Sequence, residues 1–512
     1  MEYEENFNLI CDMVEDAFGV NVTYDEPEDF GGEELPNEEA QKFYQLLNEM
    51  NTPLFDGSSE SKLSMCVRLL AAKSNWNVPD QCLEFFVKMM LDSTAMKDNL
   101  PTTFYEAKKL VSKLGLRVRK IDCCINGCML FYDNEFGTQD GLLEECKFCM
   151  SPRYKVPSRA VNTNQDRVAV KSMFYLPIIP RLKRMFASMH TASQMTWHHT
   201  NKTSSGTMRH PSDGEAWKHF DRIHPDFSAE PRNVRLGLCS DGFTPYVQAS
   251  GSMYSCWPVI VTPYNLPPEM CMTKPYMFLT CVIPGPSSPK AGIDVYLQPL
   301  IDDLKRLWIG EWTYDVSRKE NFTMRASLMW TINDFPAYGM LSGWGTHGKI
   351  GCPHCMGNNK GFTLDKGGKS SWFDCHRRFL PRNHSYRRNM TNFKKDVRVK
   401  DSPPPRLPPW AIWEQVSELP KFTDTGKACR IEGYGVTHNW TKRSIFWDLP
   451  YWKDNLLHHN LDVMHIEKNF FDNVFNTVMD VKGKTKDNEK ARQDMKKWCN
   501  RRELELKPLP NG

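Results

Sequence analysis

Residues 233–242 read Asn-Val-Arg-Leu-Gly-Leu-Cys-Ser-Asp-Gly. Apolar positions alternate from Val234 to Cys239, a period of two that predicts a strand ending at Ser240-Asp241-Gly242. Two more strand-like runs follow, at 257–264 and 276–283. The period then changes. Over residues 293–308, Leu297, Leu300, Ile301, Leu304, Leu307 and Trp308 share one face of an amphipathic helix. Residues 322–332 read as a fourth strand, ending at Asn333-Asp334-Phe335-Pro336. Beyond it, residues 343 to about 450 are irregular and rich in Pro, Gly and Arg, and a helix resumes near Leu461 and runs to about Met479. Three strands, a helix, a fourth strand, a large insertion and a closing helix predict an α/β fold with an RNase H-like mixed sheet.

That order puts acids at three telling places. Asp241 ends the first strand, Asp334 ends the fourth, and Glu467 lies on the closing helix. Three carboxylates brought together could hold two Mg²⁺ or Mn²⁺ ions for in-line phosphodiester chemistry. Asp241-Gly242 and Asn333-Asp334 are also ordinary turn pairs. Glu467 falls within the stripe of Val463, Ile466, Phe470, Phe471 and Val474, which is predicted to face the core. A carboxylate there is costly unless it is paired or binds a metal.

The thiols point to Zn²⁺. Cys124-x3-Cys128 and Cys146-x2-Cys149 form two close pairs around a short β-like segment, and four thiolates at that spacing suit a tetrahedral ion. Cys123 could replace Cys124. A third pair, Cys352-x2-Cys355, opens the insertion and needs further ligands. His459 and His465 are the preferred donors, because a zinc there would clamp the two stems of the insertion and fix Glu467. The competing donors are His376 and His384, or Cys375.

The remaining chain sets the organisation. Residues 1–60 form an acidic, poorly ordered lead-in with one helix near 39–50, and residues 61–120 a helical unit. Within that unit, Leu63, Val67, Leu70 and Ala71, then Cys82, Phe85, Phe86 and Met89, recur at helical steps. A zinc-ribbon-like motif occupies 121–155, and a linker and helical segment 156–230. The core begins at 231–342, the insertion fills 343–455, and 456–512 hold the closing helix and a helical tail.

No run of about 18 apolar residues is present, which excludes a membrane-spanning helix. The N-terminus lacks the basic and apolar regions of a secretory signal. Seventeen cysteines, an odd number arranged partly in close pairs, then favour reduced thiols and zinc over disulfides. Net charge is only +3, so its distribution carries more information than its sum. Residues 1–40 hold fourteen Asp/Glu and no Lys/Arg, whereas 376–400 hold nine Lys/Arg against Asp396. That basic stretch, with Arg377, Arg378, Arg387 and Arg388, and the segment with Arg181, Lys183 and Arg184 are the candidate phosphate contacts.

Several ordered blocks carry a family resemblance. They include Tyr105-Glu-Ala-Lys, residues 209–220 (Arg-His-Pro-Ser-Asp-Gly-Glu-Ala-Trp-Lys-His-Phe), Ser240-Asp-Gly-Phe and Trp257-Pro-Val-Ile. Further along stand Pro263-Tyr-Asn-Leu-Pro-Pro, Thr331-Ile-Asn-Asp-Phe-Pro-Ala, Cys352-Pro-His-Cys and His459-Asn-Leu-Asp-Val-Met-His-Ile-Glu. With these blocks the sequence resembles the transposases of plant CACTA (En/Spm-like) DNA transposons, of the DDE/D superfamily, over roughly residues 63–478.

The resemblance implies that Asp241, Asp334 and Glu467 are the DDE/D acids, with Asp462 as the fallback third acid. It implies Mg²⁺ or Mn²⁺ and Zn²⁺ as cofactors, transposon ends and target DNA as partners, self-association to a dimer or more, and action in the nucleus. Family members are typically longer at both ends, and Cys375 stands where they commonly carry Gly. The alternative expectation is therefore an inactive or host-adopted zinc-containing nucleic-acid-binding derivative.

Overall fold

The computed structural model describes residues 34–58, 60–93, 101–113, 118–156, 167–201, 203, 206–245, 253–371, 375–507 and 509. The acidic residues before 34 and most of the expected linker at 157–166 lie outside them. The chain divides into two compact units. The first holds residues 1–289, 296–331 and 445–456, and the second holds 290–295, 332–444 and 457–512.

The first unit starts with four helices: α1 (Glu38–Met50), α2 (Lys62–Trp76), α3 (Asp80–Ser93) and α4 (Phe104–Lys113). Asn37 caps α1 by accepting from Ala40 N, and Ser61 and Ser64 form a reciprocal capping box on α2. Leu47, Met50, Leu63 and Val67 make one small core, and Leu69, Leu83 and Val87 another. The face of α3 differs from expectation. Leu83 and Val87 turn inward, while Phe85, Phe86 and Met89 are exposed. Both sets recur at helical spacing, so periodicity alone left the buried face of this short helix open.

The sheet then builds from β1 (Arg119–Cys123), β2 (Leu130–Phe131), β3 (Ser172–Tyr175), β4 (Val234–Ser240), β5 (Trp257–Pro263) and β6 (Phe278–Ile283). Helices α5 (Ile179–Ala187) and α6 (Glu215–Ile223) fall between β3 and β4. Helix α7 (Ile293–Ile309) follows β6, then the hairpin β7 (Glu311–Asp315) and β8 (Glu320–Met324), then β9 (Ala326–Asn333). In this unit the strand order is β9-β4-β5-β6-β3-β1-β2. Strand β4 is antiparallel to β5, β5 to β6, and β4 parallel to β9.

The three strands and the helix thus lie where the sequence put them. The fourth strand does not begin at 322. The backbone turns at Arg325, so Phe322 belongs to the β7–β8 hairpin and only 326–333 joins the main sheet. The cysteine segment also supplies sheet edge, since β1 pairs with both β2 and β3.

Helix α7 supplies the main apolar cover. Ile293, Val295, Leu297, Leu300, Ile301, Leu304 and Leu307 are all buried. Two of its three carboxylates, Asp302 and Asp303, accept from Tyr132 Oη at 3.2 Å and Tyr175 Oη at 2.5 Å. On the far edge of β9, Tyr451 Oη accepts from Leu328 N at 2.8 Å, and Asn455 Nδ2 donates to Met329 O at 3.0 Å. These side chains satisfy a strand edge that would otherwise be left open.

In the second unit β9 ends at Asn333, and α8 (Phe335–Ser342) follows. A two-stranded hairpin, β10 (Phe362–Thr363) and β11 (Ser370–Ser371), lies in the irregular region. β12 (His459–Leu461) follows in this unit. Asp462 N, just past it, donates to Asn333 O at 2.8 Å. Helices α9 (Val463–Val478) and α10 (Glu489–Trp498) close the chain. A buried ion pair braces this unit. Lys442 Nζ lies 2.6 Å from Asp294 Oδ1 and also donates to Ala291 O at 2.8 Å. Among the described residues no helix is long and apolar enough to cross a membrane.

Candidate metal centres and strand-end acids

The first centre is built by two tight knuckles. After β1, Cys124 N donates to Met129 O and Gly127 N to Cys124 O, folding the chain back on itself. Gly127 has φ +72°, a left-handed conformation that glycine adopts without strain. The second knuckle closes through Cys146 N to Ser151 O and Met150 N to Cys146 O. The ligand atoms of Cys124, Cys128, Cys146 and Cys149 all lie within 4.8 Å of one another. A tetrahedron with Zn–S of about 2.3 Å has sulfur–sulfur edges of roughly 3.8 Å, so this donor set fits Zn²⁺.

The local electrostatics are uneven. Burial pushes the Cys146 thiol up to about 11 and raises that of Cys128, the latter also through the neighbouring Cys124. Burial acts the same way on Cys149, yet hydrogen bonds from Ser151 and Asn126 outweigh it and hold that thiol down to about 6. Cys123, the alternative to Cys124, is not in the group; its Sγ donates to Ile121 O, and burial pushes its thiol up to about 12.

The second group is Cys352, Cys355 and His376, again within 4.8 Å. Two thiols and an imidazole are a zinc donor set lacking one ligand of four. The imidazole comes from the competing donors named by the sequence, not from the preferred pair. His459 lies on β12 with its ring 5.6 Å from that of Tyr338, and burial holds its pKa well below the ordinary value. His465 sits in the first turn of α9, where its N–H donates to Asp462 Oδ1. His384 caps its own short helix by accepting from Tyr386 N. The side chain of Cys375 lies outside what is described.

Buried arginines explain why His376 reaches the pair. Arg378 Nη2 donates to Asn358 O at 2.8 Å, tying the His376 turn to the helical turn after Cys355. Arg377 donates to Tyr386 O and Asn389 O, and Arg387 to Leu380 O, Val399 O, Arg378 O and Asp401 O. A planar guanidinium with five donors suits the many carbonyls of an irregular loop.

The same bonds remove Arg377, Arg378 and Arg387 from the phosphate contacts expected of them: each is buried. Arg388 is exposed, with one donor on Asn383 O. In the first unit Arg181 donates to Leu279 O, and Lys183 pairs with Glu39 at 2.7 Å and Glu311 at 3.2 Å. Arg184 packs over the Phe43 ring, with its pKa lowered to about 10 by burial and then by Arg181.

The three acids occupy different settings. Asp241 is exposed in the first unit. It does not lie in a turn. Ser240 pairs with Val259 and Phe243 bridges Cys256, so the antiparallel register runs straight through Asp241-Gly242. Glycine is needed at 242 because a Cβ there would lie 2.5 Å from the Trp257 ring. Asp334, in the second unit, follows β9 and caps α8 by accepting from Ala337 N at 2.8 Å. Asp462 likewise caps α9, accepting from Met464 N at 2.9 Å.

Glu467 departs from expectation. Helix α9 buries none of its residues, and Glu467 is exposed. Val463, Phe470, Phe471 and Val474, one or two turns to either side, are 63%, 70%, 63% and 46% exposed. The apolar stripe is real, but it faces solvent. No desolvation penalty therefore presses Glu467 toward a metal or a partner.

Residues 205–419 match the family model described as transposase family tnp2. The match takes in Asp241, Asp334, Cys352, Cys355 and His376 and stops before Glu467. It supports a transposase-like function and, with it, DNA binding. The chain has no match among curated proteins.

Proposed function

We propose that the chain is a DNA transposase of the CACTA (En/Spm-like) kind with an RNase H-like core, whose Asp241, Asp334 and Glu467 act as the DDE/D acids. The tnp2 match over residues 205–419, which contains both strand-end acids, carries this reading. The sheet supports it: β6, β5 and β4 run antiparallel, and β9 joins β4 in parallel, as an RNase H-like order requires. Asp241 and Asp334 are each the first residue past the end of one of these two parallel strands.

Carboxylates are hard oxygen donors that suit Mg²⁺ or Mn²⁺. Such ions, when bound, supply a water of lowered pKa and neutralise a leaving 3′ oxygen. The chain's own part is to hold the carboxylates on rigid elements. Asp334 has one oxygen fixed by the α8 N-terminus, and Asp241 continues a paired strand. The proposed substrates are transposon terminal repeats and target DNA. Joining two ends calls for at least two copies of the chain, and the nucleus is the proposed place of action. Zn²⁺ at the two cysteine centres is structural in this reading.

A second reading is a zinc-containing nucleic-acid-binding protein without nuclease activity. That α9 buries none of its residues favours it, since catalytic groups need rigid support and Glu467 stands exposed on that helix. The test is Mg²⁺- or Mn²⁺-dependent nicking of DNA bearing the terminal repeats. Loss of nicking in Asp241→Ala and Asp334→Ala, with DNA binding kept, supports the transposase. No cleavage by folded, zinc-loaded protein leaves the second reading.

A further inference from the structure

The buried arginines leave the question of which cations can meet a phosphate backbone. Three segments of the second unit converge on one answer. The turn between β10 and β11 docks on α10: Asp494, 3% exposed, accepts from Lys366 N at 2.9 Å and Gly367 N at 2.8 Å. Residues 391–400 lie against the end of the same helix, where Lys395 N donates to Trp498 O and Asn500 N to Thr391 O. The Phe362 and Trp498 rings meet at 4.6 Å, and Lys394 Nζ covers both, at 5.7 and 5.4 Å from their centroids.

These segments, 362–371, 391–400 and 489–498, carry ten Lys/Arg against four Asp/Glu. Two of the four acids are already engaged. Asp494 is consumed by backbone N–H groups, and Asp365 pairs with Lys497. Lys366, Lys369, Lys395, Arg398, Lys400 and Lys496 are exposed.

We propose that this platform is a docking surface for the phosphate backbone of duplex DNA. The proposal rests on the DNA-partner part of the function proposed above and adds the surface itself. Lysines on flexible stems present point charges rather than bidentate forks, which suits backbone contact without sequence readout. The two rings lean on each other at 45°, with Lys394 over both and Lys497 over Trp498, so the ring contact and the cations already take faces that an unpaired base would need. That favours a duplex over a single strand.

The test measures binding of a random-sequence duplex to the full zinc-loaded chain by fluorescence anisotropy across a salt series, without Mg²⁺. Each lost phosphate contact lowers the log–log salt slope by about 0.9. The double variant Lys366→Ala/Lys369→Ala is expected to lower it by about 2 and to weaken binding several-fold at low salt. Lys366→Arg/Lys369→Arg should restore both, which a merely structural role for the turn would not predict. Unchanged slope and affinity in the alanine variant overturn the proposal. So does a loss confined to single-stranded DNA. A chain that fails to nick yet shows the lysine effect keeps the surface and loses the catalytic reading; nicking without the lysine effect does the reverse.

Discussion

Helices α7 and α9 are written in the same pattern and meet opposite fates. Each spans four to five turns with apolar residues at three- and four-residue steps. Leu297, Leu300, Leu304 and Leu307 of α7 are fully buried, whereas Phe470, Phe471 and Val474 of α9 stay exposed. The carboxylates follow suit. Asp302 and Asp303 accept from the hydroxyls of half-buried Tyr132 and buried Tyr175, and burial raises both pKa values, that of Asp302 to about 6. Glu467 lies in water. A hydrophobic period states which face a helix offers; whether anything accepts that face depends on the rest of the chain.

The sharpest way to break this contrast is at the start of α7. Asp294→Ala would strand Lys442 as a buried, uncompensated charge, and a loss of about 3–5 kcal/mol is expected in urea unfolding. A loss below about 1 kcal/mol would mean that the pair is open to water. Next comes Leu304→Ala, which opens a cavity under the helix; about 2–5 kcal/mol should disappear from the same measurement.

Asp302→Asn probes the cost of a buried carboxyl. The folded pKa of Asp302 is raised, so its stabilising contribution is complete below about pH 4 and is lost as pH rises through about 6. The asparagine variant keeps an acceptor for Tyr132. It should be the more stable protein above pH 6, by about 1–2 kcal/mol once partial solvent screening is allowed for. Thermal melts at pH 4 and pH 7 would show a smaller difference for the variant than for the parent, and equal differences would exclude the effect.

The smallest change is expected on α9. Phe471→Ala and Glu467→Gln should each shift stability by no more than about 0.5 kcal/mol, because exposed groups lose few contacts. A drop of 2 kcal/mol in Phe471→Ala would reveal that α9 is covered in solution.

Much of the fold was legible because β4, β5, β6 and α7 are long and strongly periodic, so burial and pattern agree. Other features were not. β12 is three residues long, too short to show any period. The fourth strand was misread at its start because the β8 residues Phe322 and Met324 alternate in step with β9, and only the pairing with β7 separates them. Among the site residues, the four thiols of the first centre were readable because ligands on adjacent knuckles are close in sequence as well as in space. His376 is 21 residues past Cys355 (376 − 355) within an irregular loop, and nothing local distinguishes it from His459. The buried arginines could have been suspected from the Arg-rich, acid-poor insertion. A loop with few ladder hydrogen bonds needs donors for its carbonyls, and arginine supplies five.

By itself the sequence determined which residues could bind metal, which of the long periodic segments would be strand or helix, and where the acids fall relative to strand ends. These follow from local chemistry: thiol spacing, side-chain period and turn residues. The tertiary structure alone decided which histidine joined Cys352 and Cys355, which cations were spent on buried carbonyls and which faced water, and which of two similar helices found cover. Those outcomes depend on hydrogen-bond and burial partners that lie beyond one helical turn or strand step, from 7 residues away for Arg387 and Leu380 to 144 for Lys183 and Glu39, and no local period encodes them.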